Sequence, residues 1–227
     1  MLWIDSMVPF VLGTGHPTKM GSEKDWILRL ATVARKSEID TTAEDCLRAQ
    51  HYGFLARMLA AAPSAEILKE VAAIRGDDTV LGQAYGALAR AAAVTSAKDV
   101  DREYFELFIG VGRGELLPFT SFYLTGFLNE RPLADLRADL ARLGVARAEG
   151  RHEPEDHIAL LFEVMADMAH GEIAGDQAAF FDRHIGPWAA RFFDDLAVAP
   201  SAKFYRPLAE IGRLFMDIEA RAFSLTG

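Results

Sequence analysis

Apolar residues recur along this chain every three or four positions, and proline, glycine and short polar residues punctuate the runs. Leu47, His51, Phe54, Leu55, Met58 and Leu59 fall on one helical face, and Ile67, Leu68, Val71 and Ile74 on the next. Leu81, Ala84, Tyr85, Leu88 and Ala92 form a third. This is the period of an α-helix, whose side chains return to one face after 3.6 residues, not the period of 2 that a strand requires. No segment sustains apolar–polar alternation with β-branched residues, so no sheet is predicted. Amphipathic helices bury their stripes against one another. The expected fold is therefore all-α, a single-domain bundle of roughly nine or ten helices.

The punctuation sets the boundaries. Thr41-Thr42-Ala43-Glu44 reads as a capping box; Pro63 ends the first helix and Ser64 caps the second. Gly76-Asp77-Asp78 is a turn, and Ser96 with Asp99 opens a helix through Val100, Tyr104, Leu107 and Phe108. After Gly110 the pattern breaks until a short helix between Ser121 and Leu128. Arg131-Pro132 starts another, and Gly144 stops it. The polar stretch Val145 to His152 is the expected mid-chain hinge. Pro154 is placed at a first helical position, ahead of Ile158, Leu161, Phe162, Met165 and Met168, with Gly171 as the stop. Asp176 to Ile185, Pro187 to Val198 and Ser201 to Phe223 complete the set.

The first twenty residues are partly apolar, but Pro9, Gly13 and Gly15 interrupt them and no basic n-region precedes them. Neither a secretory signal nor a membrane helix of about 20 apolar residues is expected. Residues 1–40 read as an N-terminal extension, loosely ordered at least to 21, with Met7 or Met20 as alternative initiators. Residues 41–225 read as the helical domain. The net charge of −9 argues against nucleic-acid partners, which need clustered Lys and Arg. A single cysteine, Cys46, excludes an internal disulfide and fits a reducing, cytoplasmic setting. It reads as a small buried apolar residue.

Chemistry-bearing residues concentrate in three places. From Glu103 to Tyr123 a helix runs into Gly110, Gly112 and Gly114, then Pro118, Phe119, Phe122 and Tyr123. A dinucleotide fingerprint needs a strand before its glycines, and a Walker A loop ends in Gly-Lys-Ser/Thr; both are missing, so no nucleotide cofactor is implied. The loop reads as a helix end and tight turn, or as backbone held open beside an aromatic surface for a peptide. Glu153, Glu155, Asp156 and His157 form an acidic turn that suits a helix start, or a grip on arginine. Trp188 with Phe180, Phe181, Phe192 and Phe193 reads mostly as core. No HExxH, paired Glu-x-x-His or G-x-S-x-G motif occurs, so neither a metal site nor a catalytic set is predicted. A helical-bundle metal protein or enzyme stays as the alternative class.

Together these blocks resemble the TorD family of cytoplasmic chaperones, which includes the DmsD and NarJ types. The match lies in Glu103-Tyr104 with Leu107-Phe108, in Gly110 to Gly114, in Pro118, Ser121 and Tyr123, and in Glu153 to His157. It continues in His184 with Pro187-Trp188 and in Phe204-Tyr205. Many members carry proline directly before Asp-His, where this chain has Glu155; Pro154 stands one place earlier. The LFIGVGRGELLP form looks closest to members associated with formate dehydrogenases. The resemblance implies an all-helical chaperone without catalysis or a cofactor of its own. Its partners would be an apo-molybdoenzyme, formate dehydrogenase among the candidates, and that enzyme's twin-arginine signal peptide, held back from premature export. On that basis Glu153 and Asp156 are expected to contact the arginines and His157 to orient the acidic turn. Gly110, Gly112, Gly114, Pro118, Phe122 and Tyr123 are expected to border the apolar segment.

Overall fold

A computed structural model describes residues 31–32, 42–146 and 153–226. They form ten α-helices: α1 (Ala43–Ala60), α2 (Ala65–Ala72), α3 (Val80–Val94), α4 (Ala97–Tyr104), α5 (Thr120–Thr125), α6 (Arg131–Arg142), α7 (Ile158–Ala169), α8 (Gln177–His184), α9 (Ala189–Val198) and α10 (Tyr205–Thr226). The all-α class holds. Extended pairing among the described residues is confined to a two-residue antiparallel ribbon, β1 (Ala31–Thr32) with β2 (Val145–Ala146), and one isolated bridge. Residues 147–152 of the expected hinge, and 1–30 and 33–40 of the N-terminal extension, lie outside the described residues.

Helix starts follow the polar caps, with shifts at α1, at α7 and at α10, which begins at Tyr205 rather than Ser201. Ser64, Thr79, Ser96 and Asp176 each accept a backbone N–H from the first turn of their helices. At α1 the capping box is one residue later than predicted: Thr42 Oγ1 accepts from the Asp45 N–H at 3.0 Å, and the Asp45 carboxylate reaches back to the Thr42 N–H at 3.3 Å. The chain enters α7 four residues later than Pro154 suggested. His157 is the N-cap, and its Nδ1 accepts from the Ala159 N–H at 3.2 Å.

α1 packs lengthwise on α7, α10 covers α9 and α3, and α2 lies on α3. Tyr52 of α1 meets Phe162 of α7 at 5.5 Å between ring centres and Phe215 of α10 edge-on at 4.7 Å. Such tilted aromatic pairs satisfy the ring quadrupoles while burying large area. A buried polar clamp crosses the same layer. Arg48 donates from Nε and Nη2 to the two carboxylate oxygens of Glu219 at 2.9 and 2.8 Å, and Tyr52 donates to Glu219 at 2.8 Å. It fastens the last turns of α10 to the start of α1. Trp188 and the four phenylalanines of the third cluster are buried, as expected. Cys46 is only partly buried.

Candidate functional site

α4 does not stop as an α-helix. Its final turn, Phe105–Ile109, is π-helical, and the Gly110 N–H reaches back to the Phe105 carbonyl at 2.6 Å. The extra residue in this wider turn redirects the side chains, which is why such turns recur at functional sites. Leu107 enters the core, Phe108 and Ile109 face a groove, and Phe105 and Ile109 stay exposed. Gly110 then adopts φ 63°, where a Cβ would lie 2.1 Å from the Arg113 carbonyl oxygen. A Cβ at Gly114 would lie 2.6 Å from the Leu107 carbonyl oxygen. Both positions therefore require glycine for steric reasons. Bonds from the Glu115 and Leu116 N–H groups to the Glu106 and Leu107 carbonyls close the loop at 3.1 and 2.8 Å. Its tip, Val111 to Arg113, projects into solvent.

Two carboxylates fix this loop to the C-terminal helix. Glu103, buried, accepts the N–H groups of Lys203, Phe204 and Tyr205 at 2.7, 3.1 and 2.8 Å. It thus caps the start of α10, where orphan N–H groups and the helix dipole favour an anion. Glu115 accepts from the Ser201 N–H at 3.2 Å. The hydroxyls of Tyr104 and Tyr205 bond to carbonyls at the end of α1, Tyr104 to Leu59 and Ala60, Tyr205 to Met58. The Glu103-Tyr104 and Phe204-Tyr205 blocks are thus two halves of one joint. Sequence reading placed both in the resemblance but gave neither a partner.

Beyond the loop, residues 118–120 run antiparallel to 156–158. The Thr120 N–H donates to the Asp156 carbonyl at 3.0 Å, and the Ile158 N–H donates to the Pro118 carbonyl at 2.9 Å. The glycine-loop segment and the acidic turn are therefore joined through the backbone. Asp156 is fully buried, and its Oδ2 accepts the Ser121 N–H at 2.8 Å in the first turn of α5. That placement does not suit the arginine contact expected of Asp156; the side chain holds α5 in place instead. Glu155 accepts two bonds from Arg137 of α6, at 2.7 and 2.9 Å. His157 meets Phe119 edge-on at 5.1 Å. Glu153 is exposed.

A groove of about 1040 Å³ lies between α1 and α7, beside the π turn. Ala49, Gly53, Ala56 and Ala60 form its small-residue floor on α1, and Tyr104, Phe108 and Phe119 its aromatic side. Glu70, Asp101, Glu153, Glu163 and Asp167 line it, against one arginine, Arg57, which lies 3.5 Å from Glu70. Burial, with Glu172 as a second cause, pushes the Asp167 carboxyl up to about 6. Pro118, Glu153 and His157 line this groove; Phe122 and Tyr123 do not. Those two rings line a separate cleft of about 460 Å³ on the other side of the 113–123 segment, with Arg113, Arg191 and Val198. The nine candidate residues thus divide: three border the groove, two the cleft, Gly110 and Gly114 shape the loop, Gly112 lies at its tip, and Asp156 is internal.

Among the described residues no three His, Cys, Asp or Glu side chains are grouped as a metal site, and no helix is long and apolar enough to cross a membrane. The architecture is that of an all-α bundle with an acid-lined groove, at the upper end of the roughly 300–1,000 Å³ of small-ligand pockets. The chain belongs to the nitrate reductase delta subunit family, whose model matches residues 75–194. Among curated proteins it is 23% identical over 136 residues to the chaperone protein TorD of Aliivibrio fischeri, covering 54% of this chain and 63% of that protein. It is 25% identical over 172 residues to the chaperone protein TorD of Shewanella loihica, covering 71% and 72%. The chain thus spans less than two thirds of the length of the Aliivibrio relative. The crystal structure of an Archaeoglobus fulgidus protein assigned as a redox enzyme maturation protein has the same fold. It superposes with a TM-score of 0.52 at 18% identity, over 81% of this chain and 99% of that one.

Proposed function

We propose that this chain is a chaperone for a molybdenum-cofactor oxidoreductase. It binds the twin-arginine signal peptide, the apo-enzyme or both in the cytoplasm, and delays export until the cofactor is inserted. Formate dehydrogenase is the client class suggested by the form of the glycine loop. The reading assigns the chain no catalytic step and no cofactor of its own. Family membership and the named function of its relatives support it.

The observation that carries it is the groove's chemistry. Five carboxylates line an apolar trough whose single arginine already has a carboxylate neighbour. A twin-arginine peptide offers the complement: two guanidiniums for the carboxylates and an apolar stretch for the alanine floor and aromatic side. Glu153 and Asp167 are assigned to the arginines. Pro118, Phe119 and Phe108 are assigned to the apolar stretch, and His157 holds Phe119 in position.

Calorimetry with a synthetic twin-arginine signal peptide, and the same peptide with both arginines replaced by glutamine, tests this. Binding of the first and at least a tenfold loss for the second is expected, since charge-assisted bonds contribute about 1.5–3 kcal/mol each. Equal affinity for both peptides would remove the charge argument.

A further inference from the structure

The second cleft differs from the groove in carrying two arginines, Arg113 and Arg191, beside two carboxylates, Glu115 and Asp195. Arg113 lies over the Phe122 ring at 5.2 Å, and Arg191 over the Tyr123 ring at 5.1 Å. Neither arginine is ion-paired among the described residues. The cleft's two carboxylates keep their charge but bond to neutral donors rather than to these arginines. Glu115 accepts from the Ser201 N–H and hydroxyl, and Asp195 accepts the Tyr123 hydroxyl at 3.0 Å. Arg191 gives one N–H to the Tyr123 carbonyl. Stacking covers the faces of the two guanidiniums and leaves N–H edges for an in-plane acceptor, the geometry that suits a carboxylate.

Apolar surface adjoins these charges. Leu116, Leu117 and Pro200 line the cleft, and Val198 is 78% exposed there. The volume of about 460 Å³ has room for a short run of side chains rather than a folded domain. The net charge of −9 does not dominate, because exposed charges farther than about 8 Å are screened at physiological ionic strength. We propose that this cleft is a second binding site, taking a peptide segment that carries a carboxylate beside an apolar side chain.

The groove and the cleft lie on opposite sides of one segment. Pro118 and Phe119 face the groove, while Leu116, Leu117, Phe122 and Tyr123 face the cleft. A bound acidic segment would therefore rest on the same ridge as a cationic peptide in the groove, without sharing a contact residue with it.

The test uses the full chain and a dye-labelled synthetic peptide of alternating glutamate and leucine, read by fluorescence anisotropy. Its glutamine–leucine counterpart and inorganic phosphate are the controls. The glutamate peptide binds, and the glutamine peptide binds at least about tenfold more weakly. Arg113→Gln, a change at the exposed loop tip, lowers affinity for the glutamate peptide, and Arg113→Gln with Arg191→Gln abolishes it. Both variants keep the wild-type circular dichroism and wild-type affinity for a twin-arginine peptide. Equal binding of the two peptides, or unchanged affinity in the folded double variant, overturns the proposal. Displacement by millimolar inorganic phosphate also overturns it, by making the cleft a simple oxyanion site.

Discussion

Replacing Glu103 tests the joint that carries the glycine loop. Glu103 is 6% exposed, and its carboxylate accepts three backbone N–H groups at the start of α10, two through Oε1 and one through Oε2. In Glu103→Ala all three donors lose their acceptor. Each buried unsatisfied donor costs about 1–3 kcal/mol, but water entering the space left by the side chain recovers part of it. The expected loss is about 3–5 kcal/mol, a large fraction of the roughly 5–15 kcal/mol that holds a domain folded. Glu103→Gln should cost less, about 1.5–3 kcal/mol. Its amide oxygen can keep the Lys203 and Tyr205 bonds, while its NH₂ group opposes the Phe204 N–H and the charge at the helix start is lost. Urea unfolding followed by tryptophan fluorescence measures both, since Trp188 is buried in the core. A Glu103→Ala loss under about 1 kcal/mol, or a Gln variant as damaging as Ala, would refute the capping argument.

Three further outcomes follow from the same geometry. Arg48→Met should cost about 3–5 kcal/mol in chemical denaturation by stranding Glu219, and adding Glu219→Leu should recover much of it. In the glycine loop, Gly110→Ala and Gly114→Ala should lower the melting temperature clearly, and Gly112→Ala much less. A Cβ at Gly112 meets nothing within 4 Å and carries only the strain of φ 87°. Burial raises the Asp167 carboxyl from near 3.8 to about 6, so ionising it is unfavourable in the folded chain. That cost is fully present above about 6 and fades as pH falls toward 3.8, so Asp167 makes the fold more stable on acidification across this window. A guanidinium favours the ionised form, so twin-arginine peptide affinity should rise from pH 5 to pH 7, and Asp167→Asn should flatten that rise in calorimetry.

Local signals were legible in the sequence wherever cause and effect lie within a few residues. Ser64, Ser96 and Asp99 announced their helix starts, and Gly110 announced the break after α4. The Thr42 box was displaced by one residue because Glu44 and Asp45 are both acidic, and only the geometry selects between them. Pro154 misled because proline also fits the turn before a cap, and the bridge of Phe119 with His157 holds His157 extended ahead of the helix. That pairing also determines the fate of Asp156. An acidic residue before an apolar run looks accessible, yet a backbone N–H 35 positions away draws it inside. Glu103 is the same lesson on a longer scale, with partners 100 to 102 residues distant. The division of the aromatic residues between groove and cleft was equally out of reach, because it depends on which side of one segment each side chain leaves.

The central claim is that a peptide occupies the groove between α1 and α7, and Gly53 offers the most direct measurement. It lines the floor from within α1, and a Cβ there meets no heavy atom within 4 Å. Gly53→Leu should fill the trough without disturbing the core. It should also raise helix propensity by about 0.8–1 kcal/mol, so the variant melts at or above the wild-type temperature. Calorimetry with a twin-arginine signal peptide should then show affinity reduced at least about tenfold, as expected when a side chain occupies the ligand's space. A folded Gly53→Leu protein that binds the peptide as tightly as wild type would contradict the account and place the peptide elsewhere.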